Sequence, residues 1–263
     1  MKPAHFRETP FSISPNPVSL YLTPSLRATL NKMRYTVNFG QGVFLMLGDN
    51  GLGKSSLCRY YHAELAADES YVTTLIPTPK FPTPLALLRQ ICDDLGIAPK
   101  RSFVSQQAEF QKYLIEQYEN QKTVVVFIDE AQILDNKMLE MLRSFLNFET
   151  GTRKLIQIIL AAQLQLKTRL ERDENKPLRT RISTYSVLDP MTLEEVEGMF
   201  KYRAEWAGIR PAFTSQVIQR IYEHSSGVPR DALKIAGLAY HLIQQGAKLS
   251  PDDIADVAKE VLV

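Results

Sequence analysis

The eight residues Gly48, Asp49, Asn50, Gly51, Leu52, Gly53, Lys54 and Ser55 fit the pattern G-x-x-x-x-G-K-[ST] without a mismatch. Glycines at these places let the backbone turn so that successive N–H groups face an anion. A helix starting at the same point directs its positive end at that anion. The Lys54 ammonium is then within reach of β- and γ-phosphates, and the Ser55 hydroxyl is a ligand for Mg²⁺. Gly48 through Ser55, with Ser56 after them, are the expected nucleotide-binding residues. Asp49 brings a carboxylate into the loop; its charge is expected to point away from the phosphates, because facing them would oppose binding. A second group completes the chemistry. The apolar run Val124-Val-Val-Phe-Ile128 ends in Asp129 and Glu130. Asp129 is expected to hold the metal, directly or through water, and Glu130 to polarise the attacking water as general base. Together the groups predict hydrolysis of ATP with Mg²⁺ rather than binding alone.

These side chains need strands that end at one edge of a sheet. Val43–Leu47 reads as a buried strand leading into the glycine loop, with a helix from Lys54 to about Ala66. Further strands are expected at 71–76, 124–128, 155–161 and 184–188. Helices are expected from Pro84 to near Gly96 and over 105–120, 137–147 and 164–172. This alternation predicts an α/β fold, a mostly parallel sheet covered on both faces. Its strand C-termini form the edge where ligands sit. From Thr192 onward only helices are expected. Thr192-Leu-Glu-Glu195 is a capping box, 214–223 and 229–244 follow, and Ser250-Pro-Asp-Asp253 reads as the start of the last helix. The division is therefore an N-terminal arm at 1–25, an α/β nucleotide-binding domain at 26–190, and a small all-helical lid domain at 191–263. The arm carries Phe6, Phe11 and Tyr21 among four prolines, with Ser25 as a candidate cap for the first helix.

Composition narrows the function classes. The 263 residues are 44% hydrophobic and 23% charged, which excludes a disordered chain. With 31 basic and 29 acidic residues the net charge is +2, so any nucleic-acid contact must be a local patch. Cys58 and Cys92 are too few for a disulfide framework. No run approaches the roughly 18 apolar residues of a membrane span, and no signal-peptide core opens the chain. The expected compartment is the cytoplasm.

With those motifs in place, the chain resembles the AAA+ ATPases, most closely the ExeA/GspA-like branch. The resemblance extends through Phe127-Ile-Asp-Glu-Ala-Gln132, Leu142 to Thr150, Leu155 to Gln163 and Gly227-Val-Pro-Arg230. It implies a P-loop sheet followed by a helical lid, and further roles. Gln163, at a strand end, takes the place of the family's sensor 1. Arg230 takes that of sensor 2, contacting the phosphates. Arg179 and Arg181 lie where the family carries its trans-acting arginine finger, with Arg181 slightly favoured. Tyr21 and Leu22 would wall the adenine. A trans finger implies a homo-oligomer, ring or helical filament.

Two processes compete. One resembles the TniB and TnsC helpers, ATPases that assemble on duplex DNA and recruit a transposase or other mobile-element protein. The other is an ExeA-like ATPase of a secretion or pilus assembly system. For the first, Lys80, Lys100 and Arg101 are the candidate DNA-backbone contacts, since phosphate recognition needs only positive charge and donors.

Overall fold

The computed structural model describes residues 9–151 and 153–262. Phe6 therefore lies outside the described residues. Contacts divide the chain into two units. The first comprises Pro24–Asp49 and Lys54–Leu188. The second comprises the chain up to Thr23, the loop tip Asn50–Gly53, and Asp189 onward.

The first unit is built on five parallel strands: β1 (Val43–Leu47), β2 (Tyr71–Ile76), β3 (Thr123–Ile128), β4 (Ile156–Ala162) and β5 (Ile182–Val187), in the order β2-β3-β4-β1-β5. Every residue of β1 and β4 is buried, and all of β3 except its first. The two outer strands alternate or are half-buried. That contrast is what a parallel sheet covered on both faces requires of its central and edge strands. The helices are α1 (Pro24–Asn38), α2 (Lys54–Ala66), α3 (Pro84–Asp94), α4 (Phe103–Glu119), α5 (Asn136–Phe145), α6 (Gln165–Leu170) and the short α7 (Lys176–Arg179). α1 buries Leu26, Leu30, Met33 and Val37 at helical spacing.

Several boundaries differ from the sequence expectation for identifiable reasons. α1 begins at Pro24, so Ser25 is inside its first turn and not its cap; proline's fixed φ suits that opening position. α4 begins at Phe103 because Ser102 caps it, its hydroxyl accepting the Ser105 N–H at 3.1 Å. α5 is likewise opened by Asp135, which accepts the Met138 N–H at 2.7 Å. The helix expected over 164–172 is interrupted after Leu170, with a 3₁₀ turn at Asp173–Asn175 before α7. β5 starts two residues earlier than expected, across an irregularity where Val43 pairs with Ile182 but Phe44 with Thr184. The skipped Ser183 donates its hydroxyl to the Val43 carbonyl at 2.8 Å. Such a bulge breaks the alternation by which an edge strand is read.

The second unit contains α8 (Leu193–Trp206), α9 (Ser215–Ser225), α10 (Pro229–Gln244) and α11 (Ile254–Val261). The capping box at Thr192 and Glu195 is present in both directions. α11 starts at Ile254 and not at Pro251: the Asp253 carboxylate takes both the N–H and the hydroxyl of Ser250 at 2.7 Å, closing a turn ahead of the helix. The arm packs within this unit. Phe11 is 3% exposed, with its ring 5.4 Å from Phe200 and 5.5 Å from Tyr240. Arg203, itself buried, donates to the Ser12 carbonyl at 2.7 Å.

Candidate active site

β1 ends at Leu47, and the chain turns through the glycine loop into α2. The turn uses left-handed backbone at Gly51 (φ 86°) and Gly53 (φ 93°), which side chains resist. The loop's start is tied to the neighbouring strand by the Gly48 N–H, which donates to the Ala162 carbonyl at 3.2 Å. Lys54 is 4% exposed. Its Nζ donates to the carbonyls of Gly48 and Asp49, each at 2.8 Å, so the ammonium is held over the loop. Asp49 and Asn50 are exposed, while Leu52 is buried. Ser55 and Ser56 open α2, half-buried.

β3 brings the acids to the same edge. The Asp129 N–H donates to the Ile76 carbonyl at 2.9 Å, continuing the β2–β3 ladder. Asp129 is 5% exposed, and its carboxylate accepts the Glu130 N–H at 2.9 Å. Burial raises its pKa above the ordinary carboxylate value, opposed by hydrogen bonding from Ser55 and from that N–H and by the Lys54 charge, and aided by the charge of Glu130. A serine hydroxyl and a buried carboxylate are the hard oxygen donors that Mg²⁺ takes. Among the described residues no group of three or more His, Cys, Asp or Glu could hold a metal. Mg²⁺ uses one or two carboxylates, with phosphates and water for the rest of its shell.

Glu130 stands in left-handed backbone, φ 51° and ψ 35°, a conformation a glutamate adopts only when its surroundings hold it there. A 3₁₀ turn, Ala131–Ile133, follows. On it Gln132 donates from Nε2 to Glu130 Oε2 at 2.5 Å and accepts the Gln163 N–H on Oε1 at 3.0 Å. Gln132 closes the stretch Phe127-Ile-Asp-Glu-Ala-Gln132. Its only sequence signal is an amide two places after the acid pair.

The remaining candidates are distributed as follows. Gln163 directly follows β4, at the same sheet edge. Arg230 is exposed in the first turn of α10; its N–H donates to the Gly51 carbonyl at 3.2 Å, within the second unit. Tyr21 lies against α8, its ring 5.9 Å from Tyr202, and Leu22 beside it is half-buried. Arg179 and Arg181 are exposed just before β5, at the edge where strands begin. In register Val43 pairs with Ile182, so the length of β1, about 13 Å of rise, separates the Arg181 backbone from the glycine loop along the strands. Arg179 donates to the Glu171 carbonyl at 3.1 Å. Lys80 and Arg101 are exposed, whereas Lys100 is half-buried with Nζ 3.0 Å from Glu109.

Residues 37–170, which contain the glycine loop and the acid pair, match the protein family described as AAA domain. The chain belongs to the AAA domain family. Its relatives include general secretion pathway protein A of Aeromonas hydrophila, 32% identical over 227 residues. That match covers 85% of this chain and 41% of the relative, so the chain spans less than half of that protein's length. Among solved structures, Aeropyrum pernix ORC2, in ADPNP–ADP complexes, aligns with a TM-score of 0.70 at 17% identity, covering 94% of this chain and 71% of that one. Aeropyrum pernix ORC1 in complex with DNA aligns at 0.71 and 16% identity, covering 97% and 69%. These similarities are of fold. This AAA domain is an ATP hydrolase with a P-loop sheet and a helical C-terminal region. No described helix is long and apolar enough to cross a membrane.

Proposed function

We propose that this AAA domain hydrolyses Mg²⁺-ATP as a homo-oligomer, with an arginine of one copy serving the nucleotide of the next. Lys54 and the loop N–H groups bind the triphosphate, Ser55 and Asp129 hold Mg²⁺, and Glu130 takes the proton of the attacking water. Gln163 and Arg230 contact the phosphates, and Tyr21 with Leu22 borders the base. When bound, the metal neutralises charge that builds on the phosphoryl oxygens. The observation that carries the oligomer is the position of Arg181, next to the start of β5 and a strand's length from its own glycine loop. From there it meets phosphate on another copy, where it would offset transition-state charge. Arg179 is occupied with the Glu171 carbonyl, which supports Arg181 as the finger. Turnover per subunit should then rise with protein concentration, and Arg181→Ala should lose that rise. A flat specific activity across dilution overturns the shared site.

The oligomer acts on duplex DNA, with recruitment of a transposase as its output. Exposed Lys80 and Arg101 support this reading; Lys100, paired with Glu109, contributes less. The Aeromonas relative favours a second reading, an ATPase of a secretion or pilus assembly system. Electron microscopy with a slowly hydrolysed ATP analogue, with and without duplex DNA, separates the two. DNA-dependent rings or filaments, lost in Lys80→Glu with Arg101→Glu, support the first reading. Assemblies indifferent to DNA overturn it.

A further inference from the structure

The reading of Glu130 as general base leaves open what aims its carboxylate. Its backbone alone does not, because left-handed φ and ψ fix where the side chain leaves the chain but not its own rotations. Gln132 supplies a second point of attachment. Its amide makes two different bonds: Nε2 donates to Glu130 Oε2 at 2.5 Å, and Oε1 accepts the Gln163 N–H at 3.0 Å. Only this orientation of the amide is consistent, since a carboxylate can only accept and a backbone N–H can only donate. Gln132 is itself held. The Arg169 guanidinium donates to the Gln132 carbonyl at 2.9 Å, to the Leu134 carbonyl at 2.8 Å and to Asn136 Oδ1 at 3.0 Å, fastening the turn between β3 and α5. The Ile133 N–H closes that turn on the Glu130 carbonyl at 2.9 Å. A braced turn thus carries one amide that links the acid at the end of β3 to the backbone at the end of β4.

We propose that Gln132 is a positioning residue for ATP hydrolysis, joining Glu130 to the Gln163 backbone so that the base faces the water in one orientation. The inference rests on Glu130 being that base. It binds no nucleotide itself, so its removal should act on turnover and not on affinity. A misplacement of about 1 Å at a reacting group can cost on the order of 100-fold in rate.

Two substitutions separate the bonds. Gln132→Ala removes both. Gln132→Glu keeps an oxygen for the Gln163 N–H but sets a carboxylate against Glu130. Each variant is compared with wild type for ATP turnover, for affinity to a slowly hydrolysed ATP analogue, and for hydrogen exchange of the Gln163 amide without nucleotide. Far-UV circular dichroism checks that each is folded. For Gln132→Ala the expected result is a kcat about 10- to 100-fold lower, unchanged nucleotide affinity, and faster exchange at Gln163. Gln132→Glu should lose turnover similarly yet keep slow exchange at Gln163. Added to Glu130→Gln, the Gln132→Ala change should lower the residual rate no further. A normal or raised kcat in Gln132→Ala beside an inactive Glu130→Gln overturns this inference alone. So does a loss that tracks nucleotide affinity or persists in full on the Glu130→Gln background. A normal rate in Glu130→Gln itself overturns the base assignment and this inference with it.

Discussion

Replacing Glu130 by glycine and by alanine separates what the residue does for stability from what it does for chemistry. Its φ of 51° and ψ of 35° are left-handed. That conformation costs an ordinary L-residue about 1–2 kcal/mol, and glycine almost nothing. Glycine gives back about 0.4–1 kcal/mol through the greater freedom of its unfolded chain. Both variants lose the bond to Gln132, so that contribution cancels in the comparison. Glu130→Gly should therefore be more stable than Glu130→Ala by about 1 kcal/mol, or about 2–4 °C in Tm for a chain of this size. Turnover should not follow. Loss of a general base costs about 10²- to 10⁴-fold, or roughly 3–5 kcal/mol of barrier, and should be equal in both. Urea unfolding followed by far-UV circular dichroism, beside a phosphate-release assay, reads the two quantities on the same samples. A glycine variant no more stable than the alanine variant would refute the strain argument. Near-normal turnover in either would refute the role of the carboxylate.

Lys54→Ala removes the ammonium that lies on the Gly48 and Asp49 carbonyls; calorimetry with Mg²⁺-ATP should show binding lost while the chain stays folded, and retained heat of binding would refute its phosphate role. Gly227 has φ 72°, and a Cβ there would run into the Met191 carbonyl. Gly227→Ala should destabilise the second unit by about 2–5 kcal/mol, combining left-handed strain with overpacking. Fluorescence of Trp206, the chain's single tryptophan and part of α8, should show an earlier urea midpoint, and an unchanged midpoint would count against the close approach. Arg203 donates to the arm carbonyls of Ser12 and, at 3.4 Å, Pro10, and burial lowers its pKa to about 10. Arg203→Leu leaves those carbonyls unpaired at a cost of about 1–3 kcal/mol, and protease cleavage within residues 10–16 should quicken; cleavage at the wild-type rate would show that these two bonds do not hold the arm.

What could be read from the order of residues was whatever depends on neighbours within a few positions. The glycine loop, the strand that ends in Asp129 and Glu130, and the capping box at Thr192 are all of that kind. In each the residue types that mark the feature lie within one turn or one strand, and at Thr192 so do the backbone groups they satisfy. Boundaries were lost where a nearby side chain competed for the same groups, as Asp253 does for Ser250 and Ser183 does at the bulge beside β1. Strand order, the docking of Phe11 against Phe200, the pairing of Lys100 with Glu109, and the bond from Gln132 to Gln163 were decided by tertiary structure. The last of these joins residues 31 apart. Parallel pairing of β3 with β4 sets their strand ends side by side, and that register is a property of the packed sheet, which no local spacing records. The identity of the reacting groups is therefore written in short motifs, whereas the orientation of Glu130 exists only once the strands have been laid next to one another.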